Sequence, residues 1–147
     1  MQLLAKDTYL SMIKNSRQAK ITSVFWAKSG RRKIDITQNG RLSCAFFVSL
    51  ILKFFDLIEK PHLTVKGMED ELVASGWQTI KRPHLGSVIV WAEKDGHRHI
   101  GFYIGKNQAI SNCSKRGYPC QHHFTFGKLK GKPKRLIEAI YWHNFLK

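Results

Sequence analysis

Acidic side chains are scarce in this sequence: 10 Asp and Glu stand against 25 Lys and Arg, a formal net charge of +15. Such a field attracts polyanions, whether nucleic acid, anionic lipid or an anionic cell-wall polymer. Cysteine is scarce as well. Three thiols, Cys44, Cys113 and Cys120, are too few for a disulfide scaffold, and their odd number leaves at least one unpaired. No apolar run reaches membrane-spanning length, since the longest, Ala45 to Ile58, is broken by Lys53 and Asp56. The start, Met1 to Asp7, has neither the apolar stretch nor the small-residue cleavage site of a secretory signal. These absences predict a soluble cytoplasmic protein with no membrane span, and leave export by a non-classical route open.

What is present suffices for a core. With 43% apolar residues and no internal repeat, residues 1–147 read as a single domain. Residues 6–15 read as a short amphipathic helix. Leu42 to Ile58 is the strongest helix, with Ser49, Lys53 and Asp56 forming one polar stripe on an otherwise apolar surface. A third helix is expected over about 65–75, closed by Gly76. The pattern then turns to strands: 87–91 and 97–104 flank the turn signal Asp95-Gly96, and short strands follow near 107–111, 121–126 and 136–143. Helices followed by a run of adjacent strands indicate an α+β fold, an antiparallel sheet packed on the Leu42–Ile58 helix. Residues 28–40 read as a polar loop.

Cys44 falls in the first turn of that helix, where unpaired N–H groups favour thiolate and so a nucleophile. His99 lies on an expected central strand and can serve as its base. By alternation it shares a face with His97, Gly101 and Tyr103, and Gly101 leaves room beside it. A third polar group should orient the imidazole, and the next strand offers Asn112 or Ser111. Asn112 is preferred, because its amide oxygen can accept the Nδ1–H bond.

The segments Gly86-Ser87-Val88-Ile89-Val90-Trp91 and His99-Ile100-Gly101-Phe102-Tyr103-Ile104-Gly105, with the Asp95-Gly96 turn between, resemble the hallmark block of NlpC-type papain-like cysteine peptidases and the related CHAP amidases. The resemblance covers roughly residues 38–112. It implies a papain-like α+β fold whose central N-terminal helix carries the cysteine, and a cysteine peptidase or amidase with no cofactor and no metal. Cys44 matches the nucleophile, His99 the base, and Asn112 or Ser111 the third position. Gln38, six residues before Cys44, has the offset of papain's oxyanion-hole glutamine. Trp91, Tyr103 and Phe46 are candidates to line the substrate cleft. The flanks of Cys44 depart from the family, with Ser43 in place of aspartate and Ala45-Phe46 in place of serine-glycine, so a peptide or amide substrate is implied more firmly than cell-wall peptide. An acyltransferase would use the same thiol chemistry.

Two rivals stand beside this reading. His97, His99, Cys113, Cys120, His122 and His123 are zinc-ligand types, but their spacing matches no standard module. Lys128, Lys130, Lys132, Lys134 and Arg135 form a basic run suited to phosphate contacts, as does Arg31-Arg32-Lys33, which points to a nucleic-acid- or polyanion-binding protein without catalysis.

Overall fold

A computed structural model describes residues 1–147. Helix α1 (Ala5–Asn15) is followed by a hairpin, β1 (Trp26–Ser29) and β2 (Arg32–Asp35), and then by α2 (Cys44–Phe54) and α3 (Val65–Ala74). The remainder is mostly strand: β3 (Gln78–Thr79), β4 (Val88–Lys94), β5 (His97–Gly105), β6 (Gln108–Cys113), β7 (Tyr118–His123), a small hairpin of β8 (Lys128–Leu129) and β9 (Lys132–Pro133), and β10 (Ile137–Trp142). Six strands form one antiparallel sheet in the order β3-β10-β4-β5-β6-β7. The α+β class expected from the sequence is what the chain adopts. No helix is long and apolar enough to cross a membrane.

The two faces of the sheet follow from strand alternation. Val88, Val90, Ile100, Phe102 and Ile110 point to the helices, where they meet Phe47, Val48, Ile51 and Leu52 of α2 in a core of 20 buried residues. Each fully buried side chain of this size stabilises the fold by about 1.5–3 kcal/mol. Ile89, Trp91 and Ala109 point the other way and are covered by Tyr103, Phe124, Phe126 and Ile137. Tyr9 of α1 joins the helix-side core edge-to-face with Phe55, Phe102 and Phe145, and its hydroxyl donates to the Gly86 carbonyl at 2.8 Å. Arg98 ties α3 to the sheet through Glu69, and it also meets Glu138 at 2.6 Å.

Three details differ from the sequence reading. Helix α2 ends at Phe54 rather than Ile58, because Asp56 turns into the left-handed region at φ +53. Ser49 does not join a solvent stripe; it is buried, with its hydroxyl bridging the His62 backbone at 2.8 Å both as donor and as acceptor. The polar stretch of residues 28–40 holds the turn and second strand of the β1–β2 hairpin, whose side chains are mostly exposed.

The turn before α2 is packed backbone to backbone. Gly40 has φ +88, and a Cβ there would collide with the Gly117 backbone. Gly96 has a similar φ of +83, but a methyl group there would meet nothing within 4 Å. Gly96→Ala is therefore expected to cost about 1–2 kcal/mol from backbone strain alone. Gly40→Ala adds overpacking and should cost about 1–3 kcal/mol more. Urea unfolding of both variants checks this, and equal losses would refute the packing account.

Candidate active site

The route to Cys44 is held by one carboxylate. Asp35 Oδ1 accepts from the backbone N–H groups of Phe25 (3.1 Å) and Thr37 (3.0 Å) and from the Thr37 hydroxyl (2.6 Å), while Oδ2 accepts from the Asn39 N–H at 2.6 Å. The Thr37 hydroxyl, with the backbone donors, brings the Asp35 pKa down to about 2. The chain then passes through three left-handed residues, Gln38 (φ +52), Asn39 (+55) and Gly40 (+88), and enters α2 at Cys44. Such a turn is unfavourable for non-glycine residues, and the Asp35 contacts offset that. Asn112 completes the clamp by donating from Nδ2 to the Gly40 carbonyl at 2.6 Å.

Tyr103 exchanges its backbone hydrogen bonds with Ser87 and Gly86 on the β4 side, so alternation turns the Ile100 N–H toward β6. Pairing of β5 with β6 runs only from Gly101↔Ser111 to Gly105↔Gln108, which leaves Ile100 beyond the ladder. The Cys44 sulfur takes that place. Burial pushes its thiol up, and the N–H groups of Ile100 and Ala45 and the charge of Arg135 pull against this without overcoming it. The lowered pKa expected from the helix start is therefore reversed by burial.

His99, the residue before Ile100, is half-buried on the opposite face against Trp91, with ring centroids 5.4 Å apart. Burial first, and then the charges of Arg135 and His122, hold its pKa down to about 3. Thiol and imidazole thus rest in their neutral forms at neutral pH. His99 Nε2 lies 2.8 Å from the Ser111 hydroxyl, which also lies 2.7 Å from His122 Nε2. Gly101 makes this approach possible, because a Cβ there would stand 2.6 Å from that of Ser111.

The other expected site residues divide. Of the two candidates for the third position, Ser111 meets the imidazole. Asn112, one residue on, faces the helix side and holds Gly40 instead, and its Oδ1 is buried without a partner. Gln38 is exposed, with Oε1 accepting from Arg41 at 2.8 Å. Trp91 has 0% exposure and donates to the Phe124 carbonyl, so it supports His99 from behind and lines no cleft. Tyr103 lies four residues along β5 from His99, on the order of 13 Å away, packed on Phe124. Phe46 is partly exposed beside Cys44 and packs edge-to-face on Phe25 at 5.2 Å.

Arg135 leaves the basic run with which it was grouped. Its guanidinium donates to the Ala92 carbonyl (3.0 Å) and the His97 carbonyl (2.6 Å), within electrostatic reach of Cys44 and His99. Lys128, Lys130, Lys132 and Lys134 remain exposed on the β8–β9 hairpin. Sequence reasoning missed both Arg135 and His122 as neighbours of the imidazole; a basic residue just before a strand and a second histidine at matching parity were the available signals. Among the histidines and cysteines no group of three converges to hold a metal ion, and all three cysteines are free thiols.

No family model and no curated protein matches the chain. Among solved structures it is similar to NlpC2 from Trichomonas vaginalis, with 16% identity and a TM-score of 0.58 over 95% of this chain and 48% of that one. The chain thus spans about half the length of that protein, and the likeness is one of fold.

The depressed pKa of His99 has a consequence for acid stability. Its folded value of about 3 lies below the ordinary 6.5, so the unfolded chain takes up the proton first. The stabilisation is fully present above pH 6.5 and is lost as pH falls toward 3, at up to about 1.4 kcal/mol per pH unit. Urea midpoints measured across this range should fall more steeply for the wild type than for His99→Asn. Parallel curves would show that the imidazole is not held neutral.

Proposed function

We propose that this chain is a papain-like cysteine hydrolase that cleaves an amide or isopeptide bond through a thioester formed on Cys44. The observation that carries this reading is the place of the Cys44 sulfur at the Ile100 amide, next in the chain to His99, whose Nε2 is engaged by Ser111. An imidazole bound through Nε2 has Nδ1 left for the thiol. The likeness in fold to NlpC2 supports this reading.

In the proposed reaction the neutral thiol gives its proton to His99 as sulfur attacks the carbonyl, so charge develops only when substrate is bound. The first intrahelical bond runs from the Phe47 N–H to the Ser43 carbonyl at 2.9 Å, so the Cys44 amide precedes the helical ladder, and in this reaction it is the donor for the oxyanion. His99 returns the proton to the leaving amine, and water hydrolyses the thioester. An amine or alcohol in place of that water would make the same centre an acyltransferase. The exposed lysines of β8–β9 and the net charge of +15 suit a substrate carried on an anionic polymer, of which cell-wall peptide is one. They equally suit a nucleic acid held without catalysis.

The two uses separate by substitution. With purified cell-wall peptide as substrate and release of new amino groups as readout, Cys44→Ala should lower turnover by about 10⁶-fold and leave retention on a polyanion column unchanged. A variant with the four hairpin lysines neutralised should lose retention. Undiminished turnover in Cys44→Ala would sink the hydrolase reading. A raised thiol pKa also means that iodoacetamide labelling of Cys44 should climb through the alkaline range, with no plateau near neutrality.

A further inference from the structure

We propose that His122 is a positioning residue that fixes the tautomer of His99 through Ser111, so that Nδ1 of the base is the bare nitrogen. This deepens the hydrolase reading and rests on it for its catalytic meaning. The tautomer itself follows from hydrogen-bond chemistry alone.

His122 Nδ1 lies 2.7 Å from the His123 oxygen, and a carbonyl can only accept. In the neutral ring Nδ1 must therefore carry the hydrogen, which leaves Nε2 as an acceptor. That oxygen is itself fixed, because it also accepts from the Phe126 N–H at 2.8 Å in the turn after β7. His122 Nε2 is 2.7 Å from the Ser111 oxygen, and a hydroxyl has one hydrogen to give. Ser111 donates it to His122. Toward His99 Nε2, at 2.8 Å, Ser111 can then only accept, so the His99 hydrogen sits on Nε2 and Nδ1 is bare.

A serine alone cannot do this. Its hydroxyl donates or accepts with equal ease, so at the position where Cys-His-Asn enzymes place an amide oxygen it would leave the base free to adopt either tautomer. His122 removes the choice. The ring is also held in place: Phe126 stacks on it at 3.9 Å and 13°, and burial draws its pKa below the ordinary histidine value, keeping it in the neutral form that the relay requires. Register supplies the geometry, with Gly101↔Ser111 and Ser111↔Cys120 placing the hydroxyl between β5 and β7.

The test reads the tautomer directly, by long-range proton–nitrogen correlation of the full chain carrying ¹⁵N-labelled histidine at neutral pH. Wild-type His99 should be protonated at Nε2 and bare at Nδ1; the reverse pattern overturns the proposal without any variant. His122→Phe, which keeps a ring against Phe126, should populate the Nδ1-protonated form of His99 and lower turnover about 10²-fold, short of the ~10⁴ of a fully misplaced proton. Adding Ser111→Asp supplies an oxygen that only accepts, and should restore both the tautomer and most of the turnover. A His99 that stays Nε2-protonated in His122→Phe refutes the role. If the tautomer shifts as expected while no variant, wild type included, hydrolyses amides, the relay stands and the hydrolase reading falls.

Discussion

One hydrogen bond, from Asn112 Nδ2 to the Gly40 carbonyl, joins the two halves of the candidate site. On one side lies the strained turn that delivers Cys44; on the other, the strand whose pairing with β5 ends at Ser111. The β5–β6 ladder ends at Gly101↔Ser111, one residue short of Asn112, and the Ile100 N–H beyond it meets the Cys44 sulfur. The arrangement carries a cost. Asn112 Oδ1 and the Ser43 hydroxyl are both buried without partners, each worth about 1–3 kcal/mol of lost solvation. The backbone contact of Gly40 with Gly117 and the Asp35 network lie on the same turn and resist its relaxation. The helix start is thus fixed by contacts made outside the helix.

The electrostatics of the pair follow from that depth. A helix N-terminus favours a thiolate by up to about 2 kcal/mol in the best cases, whereas taking a charge out of water costs several kcal/mol. Burial wins for both partners: the thiol is raised and the imidazole lowered to about 3. Arg135 acts unequally on them, since its charge favours a thiolate and opposes an imidazolium. A pair of this kind is poised by geometry more than by standing charge. For the proposed hydrolase the tautomer of His99 matters more than its affinity for protons, and this gives the Ser111–His122 contact its weight.

The sequence made the scaffold legible where periodicity and turn chemistry agreed: the buried helix from Cys44, the Asp95-Gly96 hairpin and the run of antiparallel strands. The His99–Gly105 block also marked the strand that lies beside Cys44. What it left open depended on register. Ser111 and Asn112 are neighbours in the chain, and only the pairing Gly101↔Ser111 decides which of them shares a face with His99. Preferring Asn112 on hydrogen-bonding chemistry alone overlooked that alternation sends it to the helix side. The sequence leaves Trp91 a candidate for either cleft or core, because its cover, Phe124 and Phe126, lies more than thirty residues later. Ser49 looked solvent-facing because its partner, the His62 backbone, belongs to a loop with no periodic signal.

The basic run shows the same limit for charge. Lys128, Lys130, Lys132, Lys134 and Arg135 look alike as a string, yet the chain divides them at one peptide bond. The lysines project from a two-stranded turn whose pairing, Lys128↔Pro133 and Leu129↔Lys132, leaves them exposed. Arg135 instead turns inward at the edge of β4 and β5, because the register there slips between Trp91 and Lys94, where the Ala92 and His97 carbonyls receive its guanidinium. A planar fork with several donors fits two such oxygens, which a lysine ammonium would meet as a point charge. Net charge therefore overstates the free positive surface, and part of what looked like a polyanion patch sets the field at the sulfur and the imidazole.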